Sequence, residues 1–297
     1  MSNFLGIDEN GYGPIMGPLV ITGTCANKNV KKGWPQDIKD SKKIFVRDKK
    51  SYKTIEEISL ALFFLLYGYF PENPEEYIEK FSSFKCPYSF KNNICTENIP
   101  QSFLWSIKSD TYKTIDILDR FFKKNSINII DIKSVILCPF EFNNLCTSKV
   151  KKDLINFLQF EKIIKYFSDK SSTISILAGK IGGRNKYSQF LEETFPFWEY
   201  QVIQEKKEKS SYIFKNKDKK VNINFLKNVE NQSFPACLSG IIGKYIREII
   251  MTSINISLEN KEFVSGYREK KTKKLLKYIL KQDYYKNIDI NCIIRKK

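Results

Sequence analysis

Two acidic residues side by side, Asp8 and Glu9, close a short apolar run near the start of the sequence. A turn-rich segment with Gly11, Gly13, Pro14 and Gly17 follows at once. Adjacent carboxylates repel, so such a pair is tolerable at the end of an apolar strand when a divalent cation neutralises it. The small residues after it leave backbone open to whatever binds there. A surface acidic pair at a strand end is the other reading. The chain contains no histidine. That removes imidazole acid–base chemistry, the Ser-His-Asp and Cys-His triads and the usual zinc sites. Catalysis would rest on carboxylates, Lys, Tyr or Ser, with hard cations such as Mg²⁺ or Mn²⁺ as the fitting metals.

Three further segments carry candidate groups. Lys244, Arg247 and Glu248 sit within a helical pattern from Pro235 to Met251, as part of a site or as a solvated face with a local salt bridge. The turn Gly182-Gly183-Arg184 offers backbone N–H groups and a guanidinium to a phosphate, or is a plain turn. Lysine clusters at 206–220 and 270–281 read as phosphate-tracking surfaces or as solvated faces. The balance of 50 basic to 33 acidic residues, +17 overall, suits a polyanion. The chain is also rich in Lys, Asn, Ile, Phe and Tyr, residues of AT-rich codons, which gives the same lysines a compositional origin.

These groups need a scaffold, and the patterning supplies one. Residues 3–8 and 17–25 read as strands around the glycine-rich turn. Ile55, Ile58, Leu62 and Leu65 mark a helix by their spacing. Prolines 71, 74, 87 and 100 make 71–100 loop-like. Helices are expected at 102–124, 152–167, 189–193, 235–251 and 270–281, and strands at 129–137, 173–178, 198–204 and 211–214. Glu205 to Lys220 reads as an exposed hairpin, and the last ten residues as a strand. Alternating helices and strands argue for an α/β fold with a mixed sheet. The 297 residues suffice for one large domain or one domain with an insertion. The longest apolar run, Leu60 to Phe70, falls short of the roughly 20 residues that a membrane helix needs. Seven scattered cysteines without a C-x-x-C pair, and no secretory segment, point to a soluble cytoplasmic protein with reduced thiols.

Four segments in order resemble the type 2 ribonucleases H. GIDENGYGPIMGPLVITG is similar to that family's first motif, and DSKKIFVRDKKSYKTIEE (40–57) to its Asp-Ser-Lys element and following helix. Gly240 to Glu248 resembles the helix ending in Lys, Arg and an acid, and Ser265-Gly266-Tyr267-Arg268 the late Gly-Tyr element. The resemblance implies a ribonuclease H-like mixed central sheet flanked by helices. It further implies a mostly helical insertion over 71–150 and a closing helix and strand over 262–297. It implies two-metal hydrolysis of the RNA strand of RNA–DNA hybrids, with Mg²⁺ or Mn²⁺ as cofactor and a monomer as the favoured state. Asp8, Glu9 and Glu248 would hold metal, and Gly11 and Gly13 would read the ribose 2′-hydroxyl. Tyr12, where the family usually has Arg, would stack on substrate or pack. Ser41, Lys42, Arg184, Lys244 and Tyr267 would lie along the nucleic acid. The family's central acidic ligand falls at Ala178 or Gly179, neither of which binds a cation. Either a substitute exists, with Asp169, Glu192 and Glu193 near in sequence, or the protein binds nucleic acid without cutting it.

Overall fold

The computed structural model describes residues 3–31, 33–35, 38, 48–84, 94–106, 108–147, 150–260, 262–281 and 289–296. Its seven strands are β1 (Asn3–Asn10), β2 (Leu19–Ala26), β3 (Ile129–Leu137), β4 (Thr173–Gly179), β5 (Glu199–Glu205), β6 (Lys209–Asn216) and β7 (Lys219–Leu226). They form one mixed sheet in the order β3-β2-β1-β4-β7-β6-β5. Strands β1, β4 and β7 run parallel at its centre, and both flanks are antiparallel. The α/β class and mixed sheet expected from the sequence are therefore present.

Helices cover both faces, and β1 shows how they are divided. Side chains alternate across a strand. Leu5 and Ile7 enter a core with Phe160, Ile163 and Ile164 of helix α5 (Lys152–Asp169). Gly6, on the other face, backs on to helix α7 (Phe234–Ser257), where an added Cβ would stand 2.0 Å from the Ala236 nitrogen. Asn10 shares that face and donates to the Gly240 carbonyl at 3.0 Å. Glu9 instead accepts from Asn156 of α5. The adjacent acids thus leave the strand towards opposite faces.

Helix α7 opens with Ser233 capping the Ala236 N–H and with Pro235 in its first turn, a favoured start. Its residues from Phe234 through Asn255 are buried all round, beyond the single face of Leu238, Ile241, Ile242, Tyr245 and Ile249 that periodicity marks. It lies between the sheet and helix α1 (Lys49–Tyr67). Helix α1 is capped by Asp48 at one end and by left-handed Gly68 (φ 79°) at the other.

Four expectations need correction. The proline-bearing stretch 71–100 contains helix α2 (Pro74–Phe81), because Pro74 occupies a first-turn position and Asn73 caps it. Helix α3 (Lys108–Asn125) starts later than 102, and no residue pattern marked α4 (Pro139–Thr147). The supposed exposed hairpin of 205–220 belongs to a three-stranded meander whose last strand, β7, reaches the sheet centre beside β4. Among the described residues of the last ten, 289–296, there is a 3-10 turn (Ile290–Cys292) and one bridge, Met16 to Ile294, rather than a strand. Short α6 (Ser188–Thr194) and α8 (Lys270–Ile279) lie where expected. No helix among the described residues is long and apolar enough to cross a membrane.

Candidate functional site

Parallel strands β1, β4 and β7 bring their carboxyl ends to one edge of the sheet, the usual place for sites in such folds. There a cavity of about 540 Å³ is lined by Asp8, Glu9, Gly11, Tyr12, Gly13, Gly179, Glu230, Lys244 and Tyr267, among others. Seven of the residues singled out in the sequence therefore share one cleft. Arg184 and Glu248 do not line it. Ser41 and Lys42 lie outside the described residues.

The turn after β1 is held by a buried arginine. Gly11 has φ +89°, and a Cβ there would meet the Pro18 carbonyl oxygen at 2.5 Å and Arg247 Nε at 2.7 Å. Arg247, 1% exposed, donates to the carbonyls of Met16 (3.2 Å) and Ser265 (3.0 Å). One side chain of α7 thus ties the glycine turn to the Ser265–Tyr267 segment. Glu248 accepts from Lys244 at 2.5 Å, Arg247 at 3.4 Å and Tyr52 at 3.4 Å. It is 1% exposed and serves as counter-ion to two cations of its own helix. The solvated-face reading of this helix is excluded, since Lys244 is also buried.

Tyr12 is half-buried, and its hydroxyl reaches the turn at Gly182, where an added Cβ would stand 2.7 Å from it. Burial raises its pKa, and the charges of Glu9 and Asp153 raise it further. Arg184 pairs with Asp153 and covers the Phe190 ring at 4.4 Å, so the structure engages it beside the cleft. Lys180 lines the cavity but donates to Ser210 Oγ at 2.9 Å and to the Lys206 carbonyl at 2.6 Å, anchoring the meander.

The acid set falls short of a two-metal centre. Gly179 lies beside Asp8, since Ile7 pairs with Ala178 in parallel register. A Cβ at Gly179 would stand 3.4 Å from Asp8 Oδ1 and 3.8 Å from Val229 Cγ1, ordinary contacts. Of the two positions named from the resemblance, Gly179 is the one beside Asp8; Ala178 is fully buried in the core on the α5 side. None of Asp169, Glu192 and Glu193 lines the cavity. Sequence reasoning missed Glu230, which does line it, 6% exposed, on a 3-10 turn (Val229–Asn231) just beyond β7. The alternation Val221, Ile223, Phe225 was the signal that could have revealed β7 and hence this acid. Among the described residues, no group of three or more Asp, Glu, Cys or His converges closely enough to hold a metal ion. The described residues do not fit the paired-metal chemistry.

No protein-family model matches the sequence, and comparison with curated proteins gives no match. Solved structures do match. Bst-RNase HIII in complex with Mn²⁺ aligns over 99% of this chain and 66% of its own, at 11% identity and a TM-score of 0.50. RNase HII of Archaeoglobus fulgidus, from its complex with PCNA, aligns over 99% and 96%, at 14% identity and 0.45. Ribonuclease H2 of Pyrococcus horikoshii OT3 aligns over 99% and 92%, at 12% and 0.45. The chain has the mixed α/β fold of the type 2 ribonucleases H. Identity to Bst-RNase HIII is 11%, so the likeness is one of fold.

Proposed function

We propose that this protein binds RNA–DNA hybrid in the Asp8 cleft and does not hydrolyse it by the two-metal route. The observation that carries the reading is Gly179, a residue without a side chain at the position beside Asp8. Binding is supported by the cleft wall. Gly11 and Gly13 present backbone to a ribose, and Tyr12 and Tyr267 add aromatic rings to the wall. The formal charge of +17 supplies a long-range attraction to a phosphate backbone. Mg²⁺ or Mn²⁺ would ordinarily activate water and steady the leaving oxygen in this fold. Here Glu9 is turned to Asn156 of α5 and position 179 contributes nothing, so no step is assigned to a metal.

One observation favours a second reading. Glu230 faces the same cavity as Asp8 and Glu9, and as a substitute ligand it would restore cutting. Labelled hybrid incubated with Mg²⁺ or Mn²⁺ separates the two, with binding and cleavage read on the same samples. The proposal expects saturable binding without products. Products that vanish in both Asp8→Asn and Glu230→Gln would establish the second reading instead.

A further inference from the structure

Beside the glycine turn, the start of α5 carries cations that join no salt bridge among the described residues. Lys152 holds its ammonium 4.5 Å from the centre of the Tyr12 ring. Burial lowers its pKa, and the charges of Arg295 and Arg268 lower it further, with Glu9 and Cys146 acting the other way. Arg295 is 4% exposed, and its Nη2 donates to the Pro14 carbonyl at 2.7 Å. Its Nε and Nη1 have no hydrogen-bond partner among the described residues. Burial and then the Arg247 charge pull its pKa down to about 9. Lys296, exposed, follows it in the chain. Among the described residues none of Lys152, Arg268, Arg295 and Lys296 joins a salt bridge.

The backbone adds to this field. Helix α5 is 18 residues long, and its N-cap, Lys151, makes no side-chain cap bond, so the positive end of its dipole lies beside Lys152 in the first turn. Asp153, the acid of that turn, is engaged by Arg184 and by the Leu154 N–H. The Arg295 guanidinium lies 5.3 Å from the centre of the Phe142 ring but keeps two unmade hydrogen bonds, a cost that a bound anion would relieve.

The geometry points to an anion site at the start of α5, in which Lys152, Arg268 and Lys296 surround a phosphate and Arg295 backs it from beneath. Lys152 and the cleft share Tyr12 as a common wall. The occupant is therefore a backbone phosphate of the strand that passes the Gly11–Gly13 turn, an assignment that rests on the binding proposed above.

The test titrates the full chain with fluorescent RNA–DNA hybrid over a range of KCl, comparing wild type with Lys152→Ala/Arg268→Ala. These partly or fully exposed positions spare the buried Arg295. The double variant should bind about tenfold more weakly, and its slope of log K against log salt should be shallower by about 1 to 2. An uncharged methylphosphonate at one backbone position should weaken wild type and leave the variant unaffected. Equal affinity and equal slope in both proteins would overturn the site while leaving the hybrid-binding proposal intact. If wild type binds no hybrid, yet inorganic phosphate raises its melting temperature and not the variant's, the strand assignment is wrong together with that proposal. The anion would then be free phosphate.

Discussion

At the scale of single residues, the chemistry turns on what surrounds Asp8. Gly179 places no side chain beside Asp8, whereas Glu248, a candidate ligand only through the resemblance, neutralises Lys244 and Arg247 inside the protein. Glu248→Gln should therefore act mainly on stability, costing about 3 kcal/mol because two buried cations lose their anion. Denaturant unfolding measures this; an unchanged midpoint would return Glu248 to the list of candidate ligands. Gly11→Ala should cost about 2 kcal/mol or more, since φ +89° and two contacts under 3.0 Å leave no room for a Cβ. The same unfolding experiment checks it. Asp8 and Glu9 were legible in the sequence because their signal is local: two acids, then glycines. Glu230 was hidden because its position depends on a strand that pairs across the sheet.

At the scale of elements, close packing of β1 on α7 sets where the site can be. Gly6 brings strand backbone against the first turn of that helix, with an added Cβ 2.0 Å from the Ala236 nitrogen. Gly6→Ala must push α7 outward and should destabilise by roughly 3 kcal/mol or more, with weaker hybrid binding as the cleft opens. A variant with wild-type melting temperature and affinity would show that this contact does not position the cleft. Strands β1 to β4 and the helices 49–67, 152–169 and 234–257 were readable from period and caps. Helices α2 and α4 were not, because a proline marks both a break and a first helical turn. The all-round burial of α7 comes from α1 covering its outer side, a tertiary fact that periodicity does not contain.

At the scale of the whole molecule, buried ionisable groups set the response to pH. Burial raises Cys25 from 9.0 to about 12, and raises Tyr77, Tyr187, Tyr212 and Tyr245 above 10.0. Each stays protonated in the fold after its unfolded counterpart has ionised. Their stability is thus complete below about pH 9 and is lost as pH rises through 10 and beyond. Lys152, Lys180 and Arg295 are lowered and act in the opposite sense, but they are fewer. The melting temperature should fall between pH 9 and 11; a flat or rising profile would contradict this balance. On the proposed reading, the net charge of +17 attracts polyanions, the Asp8 cleft holds them, and cutting would depend on a carboxylate that position 179 lacks. The most direct measurement compares cleavage of RNA–DNA hybrid by wild type and Gly179→Asp in Mg²⁺ or Mn²⁺, with hybrid affinity determined alongside. The account predicts similar affinity, with cleavage at least about 100-fold above wild type once the acid beside Asp8 is supplied. Wild-type cleavage equal to that of Gly179→Asp would contradict it.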